Sequence, residues 1–189
     1  MKKRILIYIL FVLALTLVSC FSLMEMDGVW GYGFSYNIAN GMIPYKDFNM
    51  VIGPFYSIIF SFFIKIFGNY FLAYSFQHAV IYGIVFLFLY EKIGKKSIYV
   101  LLLLGCALTS FGYNTFCSIL VVTILLLLES RTKYKQVFIG IIIGMILMTK
   151  HNIGLILTLV YLFNNRKNFK QVFSLLIPII PTFIYLLFN

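Results

Sequence analysis

Long apolar runs, separated by short basic clusters, limit what this chain can fold into. The runs cover Ile5–Leu23, Tyr70–Tyr90, Ile98–Leu128, Val137–Phe163 and Gln171–Phe188. A bilayer core about 30 Å thick is crossed by roughly 20 helical residues, so each run is long enough to span one. Composition points the same way. The chain is 62% hydrophobic and 11% charged, with a mean hydropathy of +1.02. Ordinary soluble domains are roughly 45–50% apolar and about 25% charged. That excess of apolar surface excludes a soluble enzyme, a nucleic-acid-binding domain and a disordered tail. The expected fold class is all-α, a polytopic protein of the cell membrane forming a single membrane domain over residues 1–189.

Two of the runs are too long for one simple crossing. Ile98–Leu128 has 31 residues, about 46 Å as a single helix. Its middle, Ser110-Phe111-Gly112-Tyr113-Asn114-Thr115, reads as a break. Val137–Phe163 has 27 residues and is interrupted by Thr149-Lys150-His151-Asn152. Splitting both predicts about seven spans: 5–23, 70–90, 98–112, 115–128, 137–149, 153–163 and 171–188. Between the first two spans, residues 24–69 form the only long polar interval, an outer loop. Within it, Pro54 to Phe67 is apolar and stops at Gly68. Its 14 residues rise only about 21 Å, so 54–67 reads as a helix lying along the interface.

The basic residues test the two splits. With both made, Lys2/Lys3/Arg4, Lys92/Lys95/Lys96, Arg131/Lys133/Lys135 and Arg166/Lys167/Lys170 share one face, 12 of the 15 basic residues. Only Lys46, Lys65 and Lys150 fall on the other. Clustering of Lys and Arg marks the cytoplasmic side, which puts the amino terminus in the cytoplasm. The net charge of +10 is thereby a set of topology anchors facing membrane lipids, and no nucleic acid is expected. Leu17-Val18-Ser19-Cys20 has the form of a lipoprotein cleavage box, but a polytopic chain needs no lipid anchor, so the first span is read as uncleaved. Cys20, Cys106 and Cys117 have no CxxC or histidine pattern and read as packing residues. Glu91 and Glu129, inside basic clusters, read as solvated, and His78 as a packing residue.

Few polar residues then remain to carry chemistry. On the outer face they are Glu25, Asp27, Asp47, Lys150, His151 and Asn152, with the aromatics Trp30, Tyr32 and Tyr45. A carboxylate there can deprotonate an acceptor hydroxyl, and a second can position the acceptor or hold a metal ion. A lysine at the same face can stabilise a departing lipid phosphate. The plainer alternatives are solvated loop acids, a lysine reaching the interface, and aromatics acting as interface anchors.

Asp27-Gly28-Val29-Trp30, then Ile38 through Phe48 with Gly41, Pro44-Tyr45-Lys46-Asp47, then Gly53-Pro54 and Ile66-Phe67-Gly68, resembles the opening of GT-C membrane glycosyltransferases. Gly144-Met145-Ile146-Leu147-Met148-Thr149-Lys150 resembles their later G-x-x-x-x-T-K element. The likeness is to the bacterial branch that uses polyprenyl-phosphate sugars, related to protein O-mannosyltransferases and the lipid A aminoarabinose transferase. It implies transfer of a sugar from a polyprenyl-phosphate lipid to a cell-envelope hydroxyl acceptor on the non-cytoplasmic face. Asp27 matches the proposed base, Asp47 a second polar or metal-holding group, and Lys150 a residue near the donor phosphate. His151, Asn152, Tyr45 and Trp30 are the further substrate-binding candidates. Many members carry adjacent Asp-Glu where this chain has Asp27-Gly28, so Glu25 stands as the reserve base. A divalent cation is the one cofactor in view, and its ligands are unknown.

Family members usually run to several hundred residues, and this chain is expected to be the conserved seven-span module or the front part of a longer gene. Two rival expectations accompany the enzyme reading. One is a non-catalytic multispan subunit, flippase-like, handling the same lipid; the other is an inactive truncated remnant.

Overall fold

The computed structural model describes residues 2–21, 26–94 and 112–188. Among these residues the chain is helical and contains no strand. The helices are α1 (Lys2–Phe21), α2 (Met26–Ala39), α3 (Phe55–Phe67), α4 (Phe71–Ile93), α5 (Tyr113–Leu128), α6 (Lys135–Leu147), α7 (His151–Asn165), α8 (Phe169–Phe173) and α9 (Leu176–Phe188). Two stretches, Phe71–Lys92 and Phe169–Phe188, are long and apolar enough to cross a membrane. Four other apolar helices are shorter: Ile5–Cys20, Phe55–Phe67, Tyr113–Leu128 and Lys135–Leu147. The expected span at 98–112 lies outside the described residues, apart from Gly112.

The long helices run between two ends of a bundle. α1 packs antiparallel to α4, with Phe11 stacked on Phe86 at 4.3 Å between ring centroids and the Tyr8 hydroxyl donating to the Val80 carbonyl. α4 and α5 run parallel, and their carboxyl ends are joined by the Lys92–Glu129 ion pair at 2.6 Å. Hydrogen bonding from Lys92 holds the Glu129 carboxyl below the ordinary glutamate range. α6 and α7 form an antiparallel pair, clasped where the Tyr161 hydroxyl comes within 2.6 Å of the Gln136 carbonyl. The expected span at 171–188 is helical but divided, with a turn at Ser174–Leu175 between α8 and α9. Pro178 explains the division. It has no N–H for the Ser174 carbonyl, and its ring crowds that carbonyl in a continuous helix.

The polar interval also contains a helix, α2, at Met26–Ala39. Its three glycines, Gly28, Gly31 and Gly33, make it a weak helix on intrinsic preference, so packing must hold it. Gly31 faces the hydroxyls of Tyr56 on α3 and Tyr74 on α4. A Cβ there would lie 2.9 Å from Tyr74 Oη and 3.0 Å from Tyr56 Cε1. One turn later the buried Ser35 hydroxyl donates to the Gly31 carbonyl at 2.7 Å.

Beneath α2 is a fully buried polar cluster of Tyr56, Tyr74 and His78. His78 Nδ1 lies 2.9 Å from the Tyr74 carbonyl, which can only accept, so Nδ1 carries the proton. Nε2 then accepts from the Tyr56 hydroxyl at 2.8 Å, and Tyr56 in turn bonds the Tyr74 hydroxyl. Phe60 stacks on the imidazole at 3.8 Å between ring centroids. Each polar atom in this triangle has a partner, as burial demands.

A second junction fixes the break between α6 and α7. Helix α6 ends at Leu147 and α7 begins at His151. Carbonyls freed by the break take donors from the stretch between α2 and α3 and the start of α3: Gly53 N–H bonds Thr149 O at 2.9 Å, and Phe55 N–H bonds Met148 O at 3.3 Å. The approach is so close that a Cβ on residue 53 would lie 1.9 Å from the Met148 carbonyl oxygen. Replacing Gly53 by Ala is therefore expected to lower stability by about 1–3 kcal/mol, the usual cost of overpacking. Thermal unfolding in detergent checks this, with Gly33→Ala as control because a Cβ there meets nothing within 4 Å.

Candidate functional site

Three elements that are distant in sequence meet at one end of the bundle. Asp27 comes from the first turn of α2, Tyr113 and Asn114 from the first turn of α5, and Lys150 from the turn before α7. The Tyr113 hydroxyl donates to Asp27 Oδ1 at 2.8 Å. The Asn114 amide nitrogen donates to the other carboxylate oxygen, Oδ2. The Asn114 carbonyl oxygen accepts from Lys150 Nζ at 2.5 Å. Lys150 Nζ also lies 5.9 Å from the centre of the Tyr113 ring, within cation–π range.

An acid and a base are thus held one amide group apart. Asn114 suits the place because its side chain offers a donor and an acceptor in fixed opposite directions. Its flip state follows from its partners: the NH2 faces the carboxylate and the oxygen faces the ammonium. Tyr113 is buried at the helix start, before the apolar run. Desolvation, then Asp27, pushes its phenol up to about 12, so it remains a donor to Asp27 throughout the neutral range.

Beside Lys150 is a cavity of about 290 Å³ lined by Val51, Ile52, Gly53, Tyr113, Thr149, Lys150, His151 and Asn152. The amino terminus of α7 borders it, and its N-cap residue, Lys150, supplies no side-chain cap. The helix dipole favours an anion at such an end. His151 Nδ1 lies 2.8 Å from the Leu147 carbonyl, and Asn152 Oδ1 accepts from the Ile153 N–H at 2.9 Å. Both side chains are exposed.

The remaining sequence candidates sit elsewhere or serve locally. Asp47 is exposed and accepts from the Ile43 N–H at 2.7 Å, closing the turn of the outer loop. In that turn Tyr45 adopts φ 67°, and its hydroxyl donates to the Ile52 carbonyl at 2.9 Å. Trp30 lies on α2 about one turn from Asp27 and is 41% exposed. Glu25 lies outside the described residues. Among the described residues no group of three or more His, Cys, Asp or Glu gathers to hold a metal ion. Each oxygen of Asp27 accepts one hydrogen bond, from Tyr113 and from Asn114.

Sequence reasoning missed Tyr113 and Asn114. Both sit in the stretch read as a helix break, where two polar residues between apolar runs were the available signal. Compared with protein-family models, with curated proteins and with solved structures, the chain matches none of them.

Losing the Tyr113 hydroxyl removes a charge-assisted hydrogen bond to Asp27, a bond worth about 1.5–3 kcal/mol. Tyr113→Phe should accordingly destabilise the protein in chemical denaturation. Asp27→Asn/Tyr113→Phe should lose less than the sum of the two single changes, because the contact is shared.

Proposed function

We propose that this chain is a GT-C-like membrane glycosyltransferase module. In this reading it spans the cell membrane about seven times, with its amino terminus in the cytoplasm, and transfers a sugar from a polyprenyl-phosphate lipid to an envelope hydroxyl acceptor. The carrying observation is the Asp27–Asn114–Lys150 chain beside the amino terminus of α7. The two residues that the family pattern assigns to the acceptor and to the donor phosphate share one hydrogen-bonded partner.

The arrangement of the helices supports the topology. The chain leaves α4 at the Lys92 end and enters α5 at the Asp27 end, which is the connection a span at 98–112 would make. Lys92, Arg131, Lys133, Lys135, Arg166 and Lys167 all belong to the end opposite Asp27 and Lys150, as positive-inside sorting requires. The Lys92 end is then cytoplasmic and the Asp27 end faces the envelope.

The chemistry follows from the pair. Asp27 takes the proton of the acceptor hydroxyl while the acceptor oxygen attacks the anomeric carbon. The bond from that carbon to the phosphate oxygen breaks, and polyprenyl phosphate leaves with inversion at the sugar. Lys150 and the start of α7 balance the charge that develops on the phosphate. Holding both substrates at the membrane surface supplies proximity.

A general base contributes typically about 10²–10⁴-fold. Asp27→Asn should therefore cut sugar transfer by that order in vesicles supplied with a polyprenyl-phosphate sugar, with the protein still folded. Transfer undiminished in that variant, with the wild type active, sinks the base assignment and favours a non-catalytic lipid-handling subunit. The topology has its own check. A reporter inserted after Lys135 should read cytoplasmic, and an outside reading contradicts the split spans.

A further inference from the structure

We infer that Asn114 is the positioning residue of this site, an insulator that keeps Asp27 and Lys150 from neutralising each other. The inference rests on the reading of Asp27 as base and Lys150 as phosphate ligand, and it adds the residue on which both depend.

Asp27 and Lys150 face the same amide from opposite sides. With Asn114 in place, Lys150 gives a hydrogen bond to a neutral oxygen at 2.5 Å, and Asp27 receives one from the neutral NH2. Neither is spent on a direct ion pair with the other. Lys150 lines the cavity bordered by His151 and Asn152, within reach of an anion there. Asp27 is at the same time steadied on its far oxygen by Tyr113 at 2.8 Å. The backbone supports this geometry: Gly112 passes so close to α2 that a Cβ on it would lie 3.3 Å from the Asp27 carbonyl carbon. An apolar side chain at 114 leaves two opposite charges with no polar group between them in a half-buried site. Their attraction then draws Lys150 toward Asp27 and away from the cavity.

Two readouts on the full-length protein in lipid nanodiscs test this. The first is the rate at which Lys150 reacts with an amine reagent at fixed pH, read by peptide mass spectrometry. The second is binding of farnesyl phosphate, a short polyprenyl-phosphate probe. Asn114→Leu should slow Lys150 labelling roughly fivefold to tenfold, as expected for a half-buried ion pair, and should weaken probe binding by a similar factor. Adding Asp27→Asn to Asn114→Leu removes the partner that captures Lys150. The double variant should regain labelling and binding to near the level of Asp27→Asn alone.

A merely structural role for Asn114 predicts no such recovery, and a double variant as impaired as Asn114→Leu overturns the inference. Unchanged labelling in Asn114→Leu overturns it as well, and leaves the proposed function intact if the wild type binds the probe. If labelling shifts and recovers as stated while the wild type fails to bind farnesyl phosphate, Asn114 keeps its role and the donor assignment of Lys150 fails.

Discussion

The backbone pairing between the loop before α3 and the α6–α7 break is the constraint on which the rest of the molecule depends. A helix interrupted in an apolar run frees carbonyls that, once buried, must find donors within the protein. Here Gly53 and Phe55 donate to Thr149 and Met148. The loop satisfies the break, and the break anchors the loop. Lys150 emerges immediately after the paired carbonyls, so the pairing fixes where its side chain leaves the backbone. Only glycine permits the approach at residue 53.

From that junction the other parts fall into place. Pro54 starts α3, which carries Tyr56 and Phe60 into the buried cluster with Tyr74 and His78 on α4. That cluster presents the hydroxyls against which Gly31 seats α2. Asp27, one turn before Gly31, is thereby brought to the start of α5, where Tyr113 and Asn114 take its two oxygens. The satisfied His78 network plays a structural part, because it fixes the platform under the helix that bears the acid.

Much of this was legible in the sequence, for physical reasons that differ by residue. Helical character followed from the apolar runs and their length, and the Thr149–Asn152 interruption marked where α6 and α7 part. Asp27 and Lys150 stood out because charge is scarce in so apolar a chain. α2 was not legible, since three glycines and a polar composition argue against a helix that tertiary packing alone maintains. The division of the last apolar run rests on Pro178, whose effect depends on a carbonyl four residues earlier. Asn114 was hidden because a polar residue two positions after glycine in a break signals a turn, and its partners lie 87 and 36 residues away.

The central claim is that Asp27 and Lys150 face one site across a single intervening side chain. Introducing Asp27→Cys and Lys150→Cys together into a chain freed of its native cysteines, and treating it with a short bifunctional thiol reagent, tests this most directly. The account predicts efficient cross-linking within one molecule, and much less for Asp47→Cys paired with Lys150→Cys. Absence of a cross-link between positions 27 and 150, with both cysteines shown to be reactive, would contradict it.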